Sequence, residues 1–324
     1  MEQRHLRHGD YTIGWLCALP IELTAAREML DEEHCGLPLD SNDPNSYTLG
    51  RIVEHNVVIA CLPAGQPGIT SAAAVALHMK SKFQSIRFGL LVGVGGGVPS
   101  IDVRLGDVVV SQPHKEHSGV VQFDFGKNIP EGFQRTGSLN TAPEILLSAL
   151  STLQSNYLMG RSRFSDYLST LVQRLPNFSR DKAGPDVLFQ GNYDHVGGDT
   201  CEQCNEDKQV QRISRENQDA MIHYGTIASG NQVMRYAAER DEISKKLGGV
   251  LCFEMEAAGL MNRFPCLVIR GICDYADSHK NKRWQPYAAA TAAVYAKELL
   301  SVISAAEVVK THTVDETMMD KDGE

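Results

Sequence analysis

The sequence predicts a single-domain α/β fold, a mixed, mostly parallel twisted sheet flanked by helices. Three observations carry this expectation. Short β-branched apolar runs alternate with helix-patterned segments along most of the 324 residues. No internal repeat or linker composition interrupts the alternation. Several runs stop at glycine or at a carboxylate, which in α/β sheets marks the rim where small ligands bind.

Tyr11–Leu19 reads as a buried first strand, and Pro20–Leu30 as a helix with proline in its first turn. Glu22 falls in that first turn, at the carboxyl end of the strand, where a dipole-compensating surface role and a functional role are both open. Tyr47–Arg51 and Asn56–Leu62 form a hairpin pair, and an Ala-rich helix over 69–81 follows the punctuation Gly65-Gln66-Pro67-Gly68. Phe88–Val94 is a strand running into the loop Gly95-Gly96-Gly97-Val98-Pro99, whose glycines allow positive φ and close approach of a ligand. The spacing is not that of a dinucleotide fingerprint. Leu105–Ser111 supplies a further strand and Val120–Gly126 an alternating strand or loop, in which Phe123 is either core or a lid. Ala142–Leu158 is a helix.

Residues 160–222 are polar and loop-rich and are expected to be an insertion within the domain rather than a domain of their own. They contain His195, Cys201 and Cys204, whose spacing fits no common zinc finger and lacks a fourth ligand, so free thiols or a disulfide are preferred and no metal site is expected. His223–Val233 is read as a strand ending in a polar turn, Met234–Leu247 as a helix, and Tyr287–Val308 as the terminal helix. The main domain is thus expected over 11–308, with 1–10 a flexible leader and 309–324 a disordered charged tail.

Composition narrows the function. The chain is 42% hydrophobic and 22% charged, with a formal net charge of −9. That balance argues against a nucleic-acid partner, which needs a clustered basic surface, and no apolar run is long enough to span a membrane. Of the eight cysteines, Cys17, Cys61, Cys252, Cys266 and Cys273 lie in apolar runs, so a cytoplasmic protein with reduced thiols is expected.

The richest stretch runs from Phe253 to Asp277. Phe253-Glu254-Met255-Glu256-Ala257-Ala258-Gly259-Leu260 is expected to be a helix ended by Pro265, and Cys266–Cys273 a buried strand that stops at Asp274. Glu256 and Asp274 would then meet at one rim, a pairing suited to acid–base or sugar-hydroxyl chemistry. Glu-Met-Glu-Ala-Ala followed by Ile-Arg-Gly-Ile-Cys-Asp-Tyr-Ala-Asp resembles the signature of the purine nucleoside phosphorylase and nucleosidase superfamily. The likeness is strongest to the methylthioadenosine nucleosidase branch and related fungal domains. The Gly-rich loop followed by Gly106-Asp107-Val108-Val109-Val110-Ser111 resembles the same superfamily. The resemblance covers roughly residues 11–125 and 223–303, and the 160–222 segment is similar to the fungal version of the domain.

The resemblance implies roles. Glu256 would bind the ribose hydroxyls with Met255 against the sugar; Asp274 would face N7 of a purine; Glu22 would hold the attacking water. Val94 and Gly95 would border the nucleophile. Val233 and Met234 would meet the base edge, while Phe123 and Trp284 would cover the base. Asn231 stands where the bacterial Ser-Gly-Asp pattern has its Asp. The chemistry accounts for three carboxylates. Cleaving a glycosidic bond passes through an oxocarbenium-like sugar, so an acid must protonate the leaving base while a base orients a nucleophile on the opposite face. Asp274, with a pKa raised by burial, would be the acid and Glu22 the base.

Phosphorylases of this superfamily carry Arg-x-Gly-Ser before the Gly-rich loop and another Arg near the Glu22 position. Here Leu91-Val92-Gly93-Val94 offers neither guanidinium nor hydroxyl, and Glu22 adds a negative charge. Like charges about 4 Å apart repel by about 4 kcal/mol at an effective dielectric of 20, so phosphate fits poorly. Arg27 and Arg104 keep the phosphorylase alternative open. The expectation is a purine nucleosidase, adenosine favoured, needing no cofactor and forming a homo-oligomer, with a dimer favoured. The second alternative is a non-catalytic nucleoside-sensing module of a fungal immune-like receptor.

Overall fold

The computed structural model describes residues 4–38, 42–130, 132–215 and 219–322. The first half of the chain runs β1 (Ile13–Cys17), α1 (Pro20–Glu28), β2 (Glu32–Glu33), β3 (Tyr47–Ile52), β4 (His55–Cys61), α2 (Ile69–Lys82), β5 (Phe88–Gly97) and β6 (Val108–Ser111). β7 (Val120–Gln122) and the hairpin β8 (Gly126–Ile129) and β9 (Gly132–Arg135) lead to α3 (Glu144–Leu158), α4 (Phe164–Arg174) and α5 (Arg180–Ala183). Then come β10 (Ile222–Gly225), β11 (Ile227–Ser229), α6 (Ala237–Lys246), β12 (Cys252–Glu254), β13 (Cys266–Asp274), α7 (Gln285–Ser301), α8 (Ala305–Val308) and α9 (Val314–Asp322).

The main sheet has the order β10-β6-β13-β5-β1-β4-β3-β2; β12 branches from it by pairing with β5, and β11 and then β7 pair onward from β12. β13, β5, β1 and β4 are mutually parallel, so their carboxyl ends share one rim. These central strands are buried on both faces, which is why their sequences are near-continuous apolar runs. α7 is buried along almost its whole length. Its alanines allow the approach: a Cβ at Gly271 of β13 would stand 1.8 Å from the Ala288 carbonyl oxygen.

The mixed, mostly parallel α/β sheet is as expected, and several local expectations change. Phe253–Leu260 is not a helix. Cys252 and Phe253 pair with Gly97 and Gly96 of β5, and Cys252–Glu254 pair with Ile227–Ser229. Sheet pairing overrides helix propensity, and only one 3-10 turn, Ala257–Gly259, follows. The glycines expected to form a loop are strand: β5 runs on to Gly97, and none of Gly93, Gly95, Gly96 or Gly97 has a positive φ. The terminal helix breaks at Val302, and the tail expected to be disordered carries α9. Val314 is buried and its N–H donates to the Ile86 carbonyl at 2.8 Å, while Asp315 pairs with Lys80 at 2.6 Å. The valine and the ion pair together tie this charged run to α2 and the turn before β5. The leader closes similarly, with the His8 ring 5.4 Å from Phe83. Residues 1–3 of that leader, 216–218 of the 160–222 segment and 323–324 of the tail lie outside the described residues.

Candidate active site

The carboxyl-end rim of β1, β5 and β13 holds a cavity of about 150 Å³. It is walled by Glu22, Val94, Gly95, Met255, Glu256 and Asp274, with Val233 and Met234 at one side. Eight of the residues singled out from sequence therefore meet. Three do not line it. Phe123 packs edge-on against Phe253 at 5.5 Å, behind the wall. Asn231 is exposed, its N–H donating to Asp124 Oδ2 at 2.5 Å. Trp284 is buried in the wall of a neighbouring cavity of about 680 Å³, which shares Cys273 and Asp274 with the first.

Glu22 is 3% exposed because α1 begins directly at the end of β1. Its Oε2 accepts from the Ala18 and Leu19 N–H groups at 2.7 and 2.9 Å, and its Oε1 from the Val94 N–H at 2.8 Å. A carboxylate has about four acceptor sites, so about one remains for a ligand. Burial raises the Glu22 pKa above its ordinary value, with Arg270 and the three amides opposing.

Glu256 sits on the strand-to-turn corner after β12, where its Oε1 accepts from the Gly68 N–H at 3.2 Å. Burial pushes its pKa up to about 7, against the pull of Arg270 and with the help of the charges on Glu254 and Glu22. Asp274 ends β13. Its Oδ1 accepts from the Ala276 N–H at 2.9 Å, and its Oδ2 lies 2.9 Å from Lys280 Nζ and 3.2 Å from Cys273 Sγ.

Arg270, Glu254 and Lys280 complete the site and carried no role in the sequence reading. The Arg270 side chain is 1% exposed; Nη2 donates to Glu254 Oε2 and, at 3.2 Å, to Glu256 Oε2. Glu254 also accepts from the Glu256 and Ala257 N–H groups, which fixes the corner that presents Glu256. The signal existed: an arginine inside the apolar run Cys266–Cys273 must be paired if that run is a buried strand. The β5 glycines serve these side chains. A Cβ at Gly93 would stand 2.5 Å from Glu22 Oε1 and 2.6 Å from Arg270 Nη1, and one at Gly96 would stand 2.7 Å from Asp274 Oδ1.

Arg27 pairs with Glu33 at 3.1 Å and Arg104 with Asp102 at 2.8 Å, and neither lines the cavity. A cleft of about 550 Å³ elsewhere is lined by Arg104, Arg180, Arg212 and Arg215. Arg212 and Arg215 are spent on Asp186 and Asp107 at 2.9 and 2.7 Å, so this cleft has a structural charge balance rather than a row of available cations.

Comparison with known proteins places the chain in a family. The family model described as Phosphorylase superfamily matches residues 12–306. The chain belongs to the phosphorylase superfamily. A nucleotide-binding leucine-rich repeat (NLR)-like protein of Hyaloscypha variabilis is 46% identical over 312 residues, which cover 94% of this chain and 30% of that protein. The chain thus spans under a third of the length of that relative. Among solved structures, 5′-methylthioadenosine/S-adenosylhomocysteine nucleosidase from Neisseria meningitidis, in complex with methylthio-immucillin-A, superposes with a TM-score of 0.58. It is 17% identical, with 89% of this chain and 98% of that one covered. Futalosine hydrolase of Helicobacter pylori gives 0.58 at 18% identity, covering 91% and 99%. The nucleosidase from S. pneumoniae with a transition-state inhibitor gives 0.58 at 18% identity, covering 90% and 100%. At such identities the likeness establishes the nucleoside phosphorylase fold. Among the described residues, no helix is long and apolar enough to cross a membrane.

Proposed function

We propose that this chain is a purine nucleosidase that hydrolyses the N-glycosidic bond of a purine nucleoside, adenosine favoured, to free base and ribose. The observation that carries the reading is the convergence of Glu22, Glu256 and Asp274 on one cavity at the strand rim. The similar structures named as a nucleosidase and a futalosine hydrolase support it as fold relatives.

In this reading water attacks the anomeric carbon as the carbon–nitrogen bond breaks and its electron pair passes to the purine. Glu22 takes the water proton, for which its raised pKa suits it. The departing base is protonated at N7 by Asp274, with Lys280 resupplying the proton across their 2.9 Å contact. Glu256 hydrogen-bonds the 2′ and 3′ hydroxyls, Met255 packs on the sugar, and Val233 and Met234 meet the base. Water is favoured over phosphate because Arg27 and Arg104 are committed elsewhere and Arg270 is held between carboxylates.

A second reading, a nucleoside-sensing module without turnover, is favoured by the likeness to the 46% identical nucleotide-binding leucine-rich repeat (NLR)-like protein. One experiment separates the readings. Free base is measured from adenosine, inosine, guanosine and 5′-substituted adenosines, with and without phosphate, for wild type, Asp274→Ala and Glu22→Ala. Release without phosphate, lost in both variants, is expected. Release that needs phosphate makes the chain a phosphorylase, and binding without release makes it a sensor.

A further inference from the structure

The 160–222 segment brings a second cluster of chemistry-bearing side chains beside the site. Cys201 and Cys204 lie on one tight turn, the Cys204 N–H donating to the Cys201 carbonyl at 3.1 Å. Their sulfurs and a ring nitrogen of His195 all lie within 4.8 Å of one another, and Cys204 is buried. Both cysteines are thiols. The Gly197 N–H donates to His195 Nδ1 at 3.1 Å, which leaves the proton on Nε2 for the Thr200 carbonyl at 3.0 Å. A metal-binding histidine is commonly fixed in this way, one ring nitrogen donating to a backbone carbonyl while the other offers its lone pair; the ion would take the place of the Gly197 contact.

A fourth donor would come from a different part of the chain, from a residue outside that 4.8 Å group. His279, five residues past Asp274, is 9% exposed, and its Nε2 is buried with no hydrogen-bond partner. Its ring lies 5.6 Å from the His195 ring, edge to face, and stacks on Phe189 at 4.1 Å. Its carbonyl accepts from Cys201 Sγ at 3.8 Å, and Ser278 Oγ accepts from the His195 N–H at 3.1 Å. The two segments already touch through these side-chain-to-backbone contacts.

We propose that His195, Cys201, Cys204 and His279 bind one zinc ion that clamps the 160–222 segment to the loop following β13. Two sulfurs and two imidazoles form a donor set suited to zinc and poor for magnesium or calcium. Binding displaces two thiol protons to solvent. The loop held by the clamp carries Lys280, so the ion acts on the active site by position: it fixes the residue 2.9 Å from Asp274 without touching the substrate cavity.

The test is metal analysis of the whole chain purified from zinc-supplemented medium without chelator, with free thiols counted in parallel. About one zinc per chain is expected. Cys201→Ser/Cys204→Ser is expected to retain less than a tenth of that, and His279→Ala to bind zinc at least tenfold more weakly in competition with a chromophoric chelator. A wild type with no zinc overturns the proposal, whether its thiols are all free or two are lost to a disulfide. Zinc retained by the double cysteine variant also overturns it, and affinity unchanged in His279→Ala removes the clamp to the loop. Circular dichroism of each variant separates loss of the site from loss of the fold.

Discussion

One nitrogen of Arg270 serves two carboxylates: Nη2 donates to Glu254 Oε2 and, at 3.2 Å, to Glu256 Oε2, at a position sealed from solvent. Glu22 adds a third negative charge nearby and is among the causes that hold the Arg270 pKa above its ordinary value. Arg270→Met leaves these carboxylates buried without their cation. Breaking a buried pair in this way typically costs about 3–5 kcal/mol. Urea unfolding at pH 8 is expected to show that loss, with a smaller one at pH 5, where Glu22 and Glu256 can take up protons. A loss below about 1 kcal/mol at pH 8 would contradict the central role of Arg270.

The Glu256 carboxyl gives a pH signature of known sign. Its ordinary value is 4.5 and burial raises it to about 7, so between these values the folded chain binds more protons than the unfolded chain. Stability contributed by this group is therefore present below pH 4.5 and is lost as pH rises through about 7. Other groups titrate in the same range; His279, lowered to about 4 by burial, acts in the opposite direction. The check is consequently the difference between wild type and Glu256→Gln. The variant is expected to gain on wild type by up to about 3 kcal/mol between pH 4.5 and pH 7.5. Parallel stability curves for the two proteins would refute it.

The rim was legible because strand ends are marked by abrupt chemistry: Asp274 after an apolar run, and Glu22 two residues after Pro20. What could not be read was cross-chain supply. Glu254 and Arg270 meet only because β12 and β13 flank β5, and the pairing of β12 across β5 is antiparallel, a topology that local periodicity does not encode. The same pairing made a strand of residues with helical propensity. Phe123 and Trp284 fail to line the cavity for a related reason. Aromatic residues mark burial well but not which side of a wall they fill, and both are consumed by ring contacts with Phe253 and Tyr287.

Lys280 tests the proton path to the leaving base. Its ammonium is 2.9 Å from Asp274 Oδ2, and its own pKa is raised, desolvation being outweighed by Asp274 and the Cys273 sulfur. Lys280→Met removes the proton source and keeps the length of the side chain. Base release is expected to fall about 10²-fold or more in kcat with KM changed far less, since proton transfer typically contributes about 10²–10⁴-fold. Arg at this position keeps a charge and should restore part of the rate. An unchanged kcat in Lys280→Met would assign the proton to Asp274 and solvent alone.

Gly93 is the most direct test of why β5 is rich in glycine. Its neighbour across the sheet is Arg270, in register on β13, so the backbone cannot retreat without disturbing the strand pair. In Gly93→Ala the new methyl would stand 2.5 Å from Glu22 Oε1 and 2.6 Å from Arg270 Nη1, and both side chains would have to yield. Overpacking of this kind costs about 1–3 kcal/mol. The larger effect should be chemical, because the Val94 N–H holds Glu22 from the adjacent residue at 2.8 Å and any shift of the carboxylate breaks that contact. Gly36→Ala, where a Cβ would meet nothing within 4 Å, is the control and should match wild type. Gly93→Ala is expected to fold with a lowered Tm and to lose base release by at least about tenfold, a modest share of what a general base supplies. Full activity in Gly93→Ala would mean that Glu22 does its work from some other position than the one β5 leaves open for it.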